Sequence, residues 1–231
     1  MGQELAVPTR AFFGRRKGHK LRANQARLFE TLLPRLALDL TRPAPAQLDA
    51  LFPVPLREIA LEIGFGGGES MIAQAQQQPR TGFIGVEPFV TGMAKALAAI
   101  EATGLENVRL HFDDAVELIA WLPPASLARI DLVHPDPWPK RRHWKRRFVQ
   151  DGMIGELARI LQRGGEFRFV TDIADYAAWT LARFVRSNAF EWTALCADDW
   201  RMPWPGFTAT RYHAKAARAA RASCFLVFRR L

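Results

Sequence analysis

Short apolar runs separated by longer amphipathic stretches organise most of this chain. EIALEI (58–63), TGFIGVE (81–87), NVRLHF (107–112), ARIDLVH (128–134) and GEFRFVT (165–171) each have strand length and are rich in Val, Ile, Leu and Phe. Between them, apolar residues recur at three- and four-residue spacing, which predicts helices near 67–78, 91–103, 114–121, 146–162 and 173–187. The helix near 146–162 rests on the spacing of Phe148, Ile154, Leu157 and Leu161. Strand–helix alternation implies right-handed crossovers and a mainly parallel sheet covered on both faces, an α/β fold. FEWTAL (190–195) and SCFLVF (223–228) have no obvious helix between them and predict an antiparallel C-terminal edge pair. The segment joining them, about 196–222, is long enough to suggest function. Ahead of the sheet lies a predicted helix near 23–33, broken at Pro34, then the Pro-rich TRPAPAQLDALFPVPL (41–56). The division expected is therefore a basic N-terminal arm, helix and connector over 1–56 and one domain over 57–231.

Composition narrows the class. With 231 residues, 49% of them hydrophobic, the chain can bury one large core. No uncharged apolar run reaches membrane-spanning length, and the first twenty residues hold no apolar signal-peptide core, so no membrane partner and a cytoplasmic location are expected. The two cysteines, Cys196 and Cys224, are expected to stay reduced, and neither has metal-ligand spacing, so no metal is expected. The net charge of +9 points to an anionic partner. Its distribution says more: 10–27 carries seven Lys or Arg, 140–147 carries six and 211–230 carries six, with no acid in any block. If the three blocks meet in space, they make one phosphate-attracting surface.

The turn after the first strand, LEIGFGGGES, suggests a ligand. Glycines at 64, 66, 67 and 68 let a ligand approach the backbone, and such a turn lies at the carboxyl edge of an open sheet. The dinucleotide fingerprint fails, because Glu69 occupies its final glycine position and opposes a pyrophosphate at the helix start. A phosphate-free cofactor fits better, S-adenosylmethionine being the common one, with Gly64 and Gly66 in its cradle. Three acids at successive strand ends agree. Glu87 can accept both ribose hydroxyls, Asp114 can bond near the adenine or simply cap a helix, and Glu62 lies near the amino end of the methionine part.

The most distinctive stretch is VHPDPWPKRRHWKRR (133–147), which presents Asp136 among three prolines and then six bases. Together, LEIGFGGGE, GVE, DDA, HPDPWPKRRHWKRR, FVTD and the late Thr-Arg-Tyr resemble the bacterial tRNA (guanine-N7-)-methyltransferases of the TrmB type. The match runs in order from about Gly14 to the C-terminus. The resemblance implies a Rossmann-like class I S-adenosylmethionine-dependent methyltransferase acting on N7 of guanosine 46 in the tRNA variable loop. It puts Glu62, Glu87 and Asp114 on cofactor positions and Asp136 on the catalytic or cofactor-proximal acid. Lys140 and Asp172 fall on substrate positions, and Arg142, His143, Trp144, Lys145, Arg146 and Arg147 on the RNA-contact stretch. The family's Thr-Lys-aromatic-Glu substrate motif reads here as Thr210, Arg211, Tyr212 and His213, so His213 departs in charge from the usual Glu. Whether Asp136 touches guanine, cofactor or both stays open at this level. Two rivals remain: a methyltransferase of the same sheet type with another substrate, which leaves the basic blocks idle, and an RNA-binding module without catalysis, which leaves the acids unexplained.

Overall fold

The computed structural model describes residues 9–18 and 20–231. The first eight residues of the expected arm, and residue 19, lie outside the described residues. Seven strands form one sheet in the order β3-β2-β1-β4-β5-β7-β6. They are β1 (Glu58–Ile63), β2 (Thr81–Val86), β3 (Val108–His111), β4 (Leu127–Val133), β5 (Leu161–Thr171), β6 (Phe190–Trp192) and β7 (Cys224–Arg230). The first five pair in parallel, with Leu61 opposite Ile84 of β2 and Ile130 of β4. β7 runs antiparallel to both β5 and β6, as the edge-pair pattern predicts.

Alternation along the strands sends side chains to two apolar layers. Leu61, Ile63, Ile84 and Val86 pack with α5 (Ala115–Trp121), α6 (Asp151–Ile160) and α7 (Ala174–Arg186). Ala60 and Phe83 face the other way, against α3 (Glu69–Gln77), α4 (Val90–Thr103) and the N-terminal helices α1 (Ala23–Thr31) and α2 (Leu33–Leu36). The connector is tied in as well: Leu48 and Phe52 are buried in the first layer, and the Leu38 N–H donates to the Leu110 carbonyl at 2.9 Å.

Several predicted boundaries move. Pro34 does not end the helical path but sits in the first turn of α2, where its missing N–H costs nothing. The helix expected near 146–162 is shorter, because Arg141–Arg146 forms a 3₁₀ run and the next residues are extended. Phe148 is buried from that extended piece, so a true core position imitated helical spacing. FEWTAL shrinks to Phe190–Trp192. The long 196–222 segment carries two helices of its own, α8 (Asp198–Arg201) and α9 (Arg211–Arg218). Among the described residues no helix is long and apolar enough to cross a membrane.

Candidate functional site

A cavity of about 420 Å³ opens at the carboxyl ends of β1, β2 and β4. The chain leaves β1 toward β2 on one side and enters β4 on the other, so the connections diverge there and leave a crevice. Its volume suits a small organic ligand. One wall is the glycine turn, where Gly64, Gly66 and Gly68 have φ of 68°, 61° and 81°, which side-chain-bearing residues rarely adopt. A Cβ on Gly92 would come within 2.3 Å of the Gly66 carbonyl, so the start of α4 can reach the turn only as glycine.

Glu87 locks this arrangement. Its carboxylate accepts the Gly66 N–H at 2.7 Å and the Phe89 N–H at 2.9 Å while buried at the end of β2. Burial raises its pKa, and the two N–H donors pull the other way without cancelling the shift.

Asp114 is held by more than its own helix. It caps α5 by accepting the Val116 N–H at 3.0 Å, and it also accepts the Ala11 N–H at 3.0 Å and the Phe12 N–H at 2.9 Å. The N-terminal arm therefore lies across the cavity, and Ala11, Phe12, Gly14 and Arg15 line it. Arg16 pairs with Asp113 at 2.5 Å, and the Val90 N–H donates to the Arg16 carbonyl at 3.0 Å. Sequence reasoning gave no role to Ala11 or Phe12, because the groups they use are backbone N–H donors that every residue but proline carries.

Glu62 departs from its expected place. It does not line the cavity but lies buried opposite Asp131 of β4, in the network of Arg129, Ser70 and Gln74 under α3. Desolvation, with the nearby Asp131 charge, pushes its pKa up to about 8.

Asp136 lies on the loop after β4 and lines the cavity with Pro135, His134 and Trp138. The loop is bracketed by two left-handed residues, His134 (φ 50°) and Trp138 (φ 43°). Each such conformation costs roughly 1–2 kcal/mol, so neighbouring contacts must hold the loop in shape. Phe13 meets the Trp138 ring edge-on at 6.2 Å, and the Arg146 guanidinium lies 4.9 Å over it. The Asp136 residue is exposed at the mouth, yet local crowding desolvates its carboxyl and raises its pKa.

Beside this loop, His134 Nδ1 stands 3.4 Å from Asp172, whose other oxygen accepts from Arg221 at 2.6 Å. Burial lowers the His134 pKa despite the carboxylate. Burial alone would raise Asp172, but the Arg221 guanidinium and His134 hold it below its ordinary range. Asp172 is thus already engaged and does not line the cavity.

Of the late motif, Arg211 and Tyr212 line the cavity and the others do not. Thr210 caps α9, its hydroxyl accepting the His213 N–H at 3.3 Å. The His213 ring packs among Phe207, Phe225 and His134, with Nδ1 3.4 Å from the Ser223 hydroxyl. That half-buried aromatic setting accounts for an imidazole where a carboxylate would be desolvated.

The basic stretch divides. Lys140, Arg142 and Lys145 are exposed, and His143 and Trp144 are half-buried. His143 meets Trp138 edge-on at 5.8 Å, and Trp144 packs against Trp179 at 5.3 Å. Arg146 lines the cavity and reaches toward its rim. Arg147 corrects the expectation of a phosphate contact: only 2% of it is exposed, so it cannot meet a polyanion at the surface. Among the described residues no group of three or more His, Cys, Asp or Glu gathers to hold a metal.

The chain is also similar to known proteins. A family described as "Putative methyltransferase" matches residues 57–226. A Rhodopseudomonas palustris protein named tRNA (guanine-N(7)-)-methyltransferase is 63% identical over 225 residues, covering 97% of this chain and 90% of the relative. A Bradyrhizobium diazoefficiens protein of the same name is 61% identical over 221 residues, covering 96% and 94%. A Streptococcus mutans structure solved in complex with SAH shares the fold, with a TM-score of 0.51 at 11% identity over 77% of this chain and 91% of that one. With a relative of that identity spanning nearly the whole chain, and a class I methyltransferase sheet beneath it, the protein belongs to the tRNA (guanine-N(7)-)-methyltransferase family.

Proposed function

We propose that this protein methylates N7 of guanosine 46 in the tRNA variable loop, with S-adenosylmethionine as methyl donor. The observation that carries the reading is one cavity at the strand-order reversal, lined by Glu87, Asp114 and Asp136 and rimmed by Arg15, Arg146 and Arg211. The residues present fit the donor. The open glycine turn leaves room beside the backbone, since a Cβ at Gly64 would meet nothing within 4 Å. Glu87 is an acceptor suited to ribose hydroxyls, and Asp114 anchors the arm's backbone that lines the same cavity. Glu69 in the first turn of α3 disfavours a phosphate there. When bound, S-adenosylmethionine supplies an electrophilic methyl group on a sulfonium.

Guanine N7 already bears a lone pair, so no residue need act as a base before attack. The chain's task is placement: the loop sets the base, and the cavity sets the direction of approach. Transfer leaves positive charge on the purine. Asp136 stabilises that charge and accepts from the guanine N1–H and N2 amine, which adenine cannot match. Exposed Arg142 and Lys145 engage tRNA phosphates beside the cavity mouth. Residues 57–231 form the catalytic domain in this reading and 1–56 its accessory arm, in keeping with the family match over 57–226. A tRNA substrate supports a cytoplasmic location.

The test is transfer of tritiated methyl from S-adenosylmethionine to tRNA, followed by digestion and nucleoside identification. Label in N7-methylguanosine, lost when guanosine 46 is replaced, supports the reading. Label in another nucleoside redirects it to a different substrate, and no label on any tRNA leaves an RNA-binding module.

A further inference from the structure

Arg147 is the largest fully buried side chain of the protein among the described residues, and a phosphate-contact role leaves it unexplained. Its guanidinium carbon lies 4.9 Å from the ring centroids of Trp144, Tyr176 and Trp179. Nε donates to the Pro137 carbonyl at 2.9 Å, and Nη2 donates to Asp175 at the start of α7. The Arg147 carbonyl itself accepts from the Gln150 side chain at 3.0 Å, and its N–H donates to the Trp144 carbonyl at 3.0 Å. The aromatic box is itself anchored. The Trp179 indole N–H donates to the Val149 carbonyl at 2.8 Å, and Tyr176 is wholly buried.

A desolvated guanidinium is costly unless its donors and faces are both used. Here the Nε–Nη2 edge is divided between the loop carbonyl and Asp175 of α7, three aromatic rings surround the plane, and Nη1 meets no hydrogen-bond partner among the described residues. The loop contact falls on the peptide joining Pro137 to Trp138, one residue past Asp136 and directly before the left-handed Trp138. A bond there fixes the orientation of that peptide, and with it the turn that carries Asp136.

We infer that Arg147 is a positioning residue: from inside the protein it sets the Pro135–Pro139 loop and so holds Asp136 against the cavity. The phosphate-binding part of the basic stretch then ends at Arg146. This inference rests on the methyltransferase reading of Asp136. Lysine cannot replace Arg147, because an ammonium is a point charge without a planar fork.

The test is Arg147→Lys, assayed with saturating tRNA and S-adenosylmethionine well below the melting temperature. Rates are normalised to cofactor-binding sites, so that unfolded molecules are not counted. The expected result is a kcat per site at least 30-fold down, with KM for tRNA, KM for cofactor and the salt slope of tRNA binding unchanged. Asp175→Asn, which neutralises the half-exposed carboxylate partner and leaves the box intact, is expected to lower kcat in the same way by about 3- to 10-fold. It carries the test if the lysine variant does not fold. In Arg147→Met, which removes the charge, a salt slope reduced by about one with kcat per site preserved would overturn the inference in favour of a phosphate contact. Wild-type kcat per site in both Arg147→Lys and Asp175→Asn would overturn it outright. Absence of methyl transfer by the wild-type protein would instead remove the catalytic reading beneath it.

Discussion

Glu87→Gln tests the reasoning about the cavity most directly, because one carboxylate holds the glycine turn and offers the ribose acceptor. The wild-type group accepts two N–H donors, a buried one at 2.7 Å from Gly66 and a part-buried one at 2.9 Å from Phe89. A glutamine has one carbonyl oxygen, so it can accept only one of them. Its amide nitrogen then faces the other N–H donor to donor, leaving a buried group unsatisfied. Losing a charge-assisted bond costs about 1.5–3 kcal/mol, and stranding a buried donor about 1–3 kcal/mol. Against this, the amide relieves the desolvation that raises the carboxyl's pKa. The net expected is about 2 kcal/mol, which for a chain of this size lowers the melting temperature by roughly 4–8 °C. Loss of the ribose acceptor should weaken cofactor binding by a further 10- to 100-fold, corresponding to about 1.4–2.7 kcal/mol. Thermal melts and calorimetric titration with S-adenosylhomocysteine measure the two effects separately. A variant that melts with the wild type and binds cofactor equally well would refute the assigned role.

Gly92→Ala should cost cofactor affinity at least 10-fold, since its Cβ would stand 2.3 Å from the Gly66 carbonyl and force the turn outward; unchanged binding in the same titration would show that α4 yields instead. Glu62→Gln bears on the pH dependence of stability. The carboxyl ionises at 4.5 unfolded and near 8 in the fold, so its stabilisation is full below about pH 4.5 and is lost as pH rises through 8. Wild-type stability should therefore fall across that window by as much as about 1.4 kcal/mol per pH unit, and the variant's curve should be flatter; parallel curves in denaturant melts from pH 5 to 8 would count against it. Arg142→Ala and Lys145→Ala should each weaken tRNA binding at low salt and reduce the slope of log K against log salt by about one. A slope that does not move marks those side chains as merely solvated.

The order of elements was legible along the chain because each strand and helix carries its own period, and burial on one or both faces enforces it. The strand-end carboxylates could be picked out for the same reason: a charge that ends an apolar run is conspicuous. What the chain's pattern did not show is what a side chain meets across the fold. Phe148 imitated a helical position, Glu62 turned under α3 away from the cavity, and Arg147 belonged to the core rather than the basic surface. Thr210 serves as a helix cap and His213 as an aromatic packing partner, neither lining the cavity that Arg211 and Tyr212 share. By itself the sequence determined the α/β class and the net positive charge of the chain, since these follow from periodicity and composition. Only the tertiary structure decided which charges face solvent, and that the arm's backbone N–H groups close on Asp114, because burial and hydrogen-bond partners are set by residues far apart in the chain.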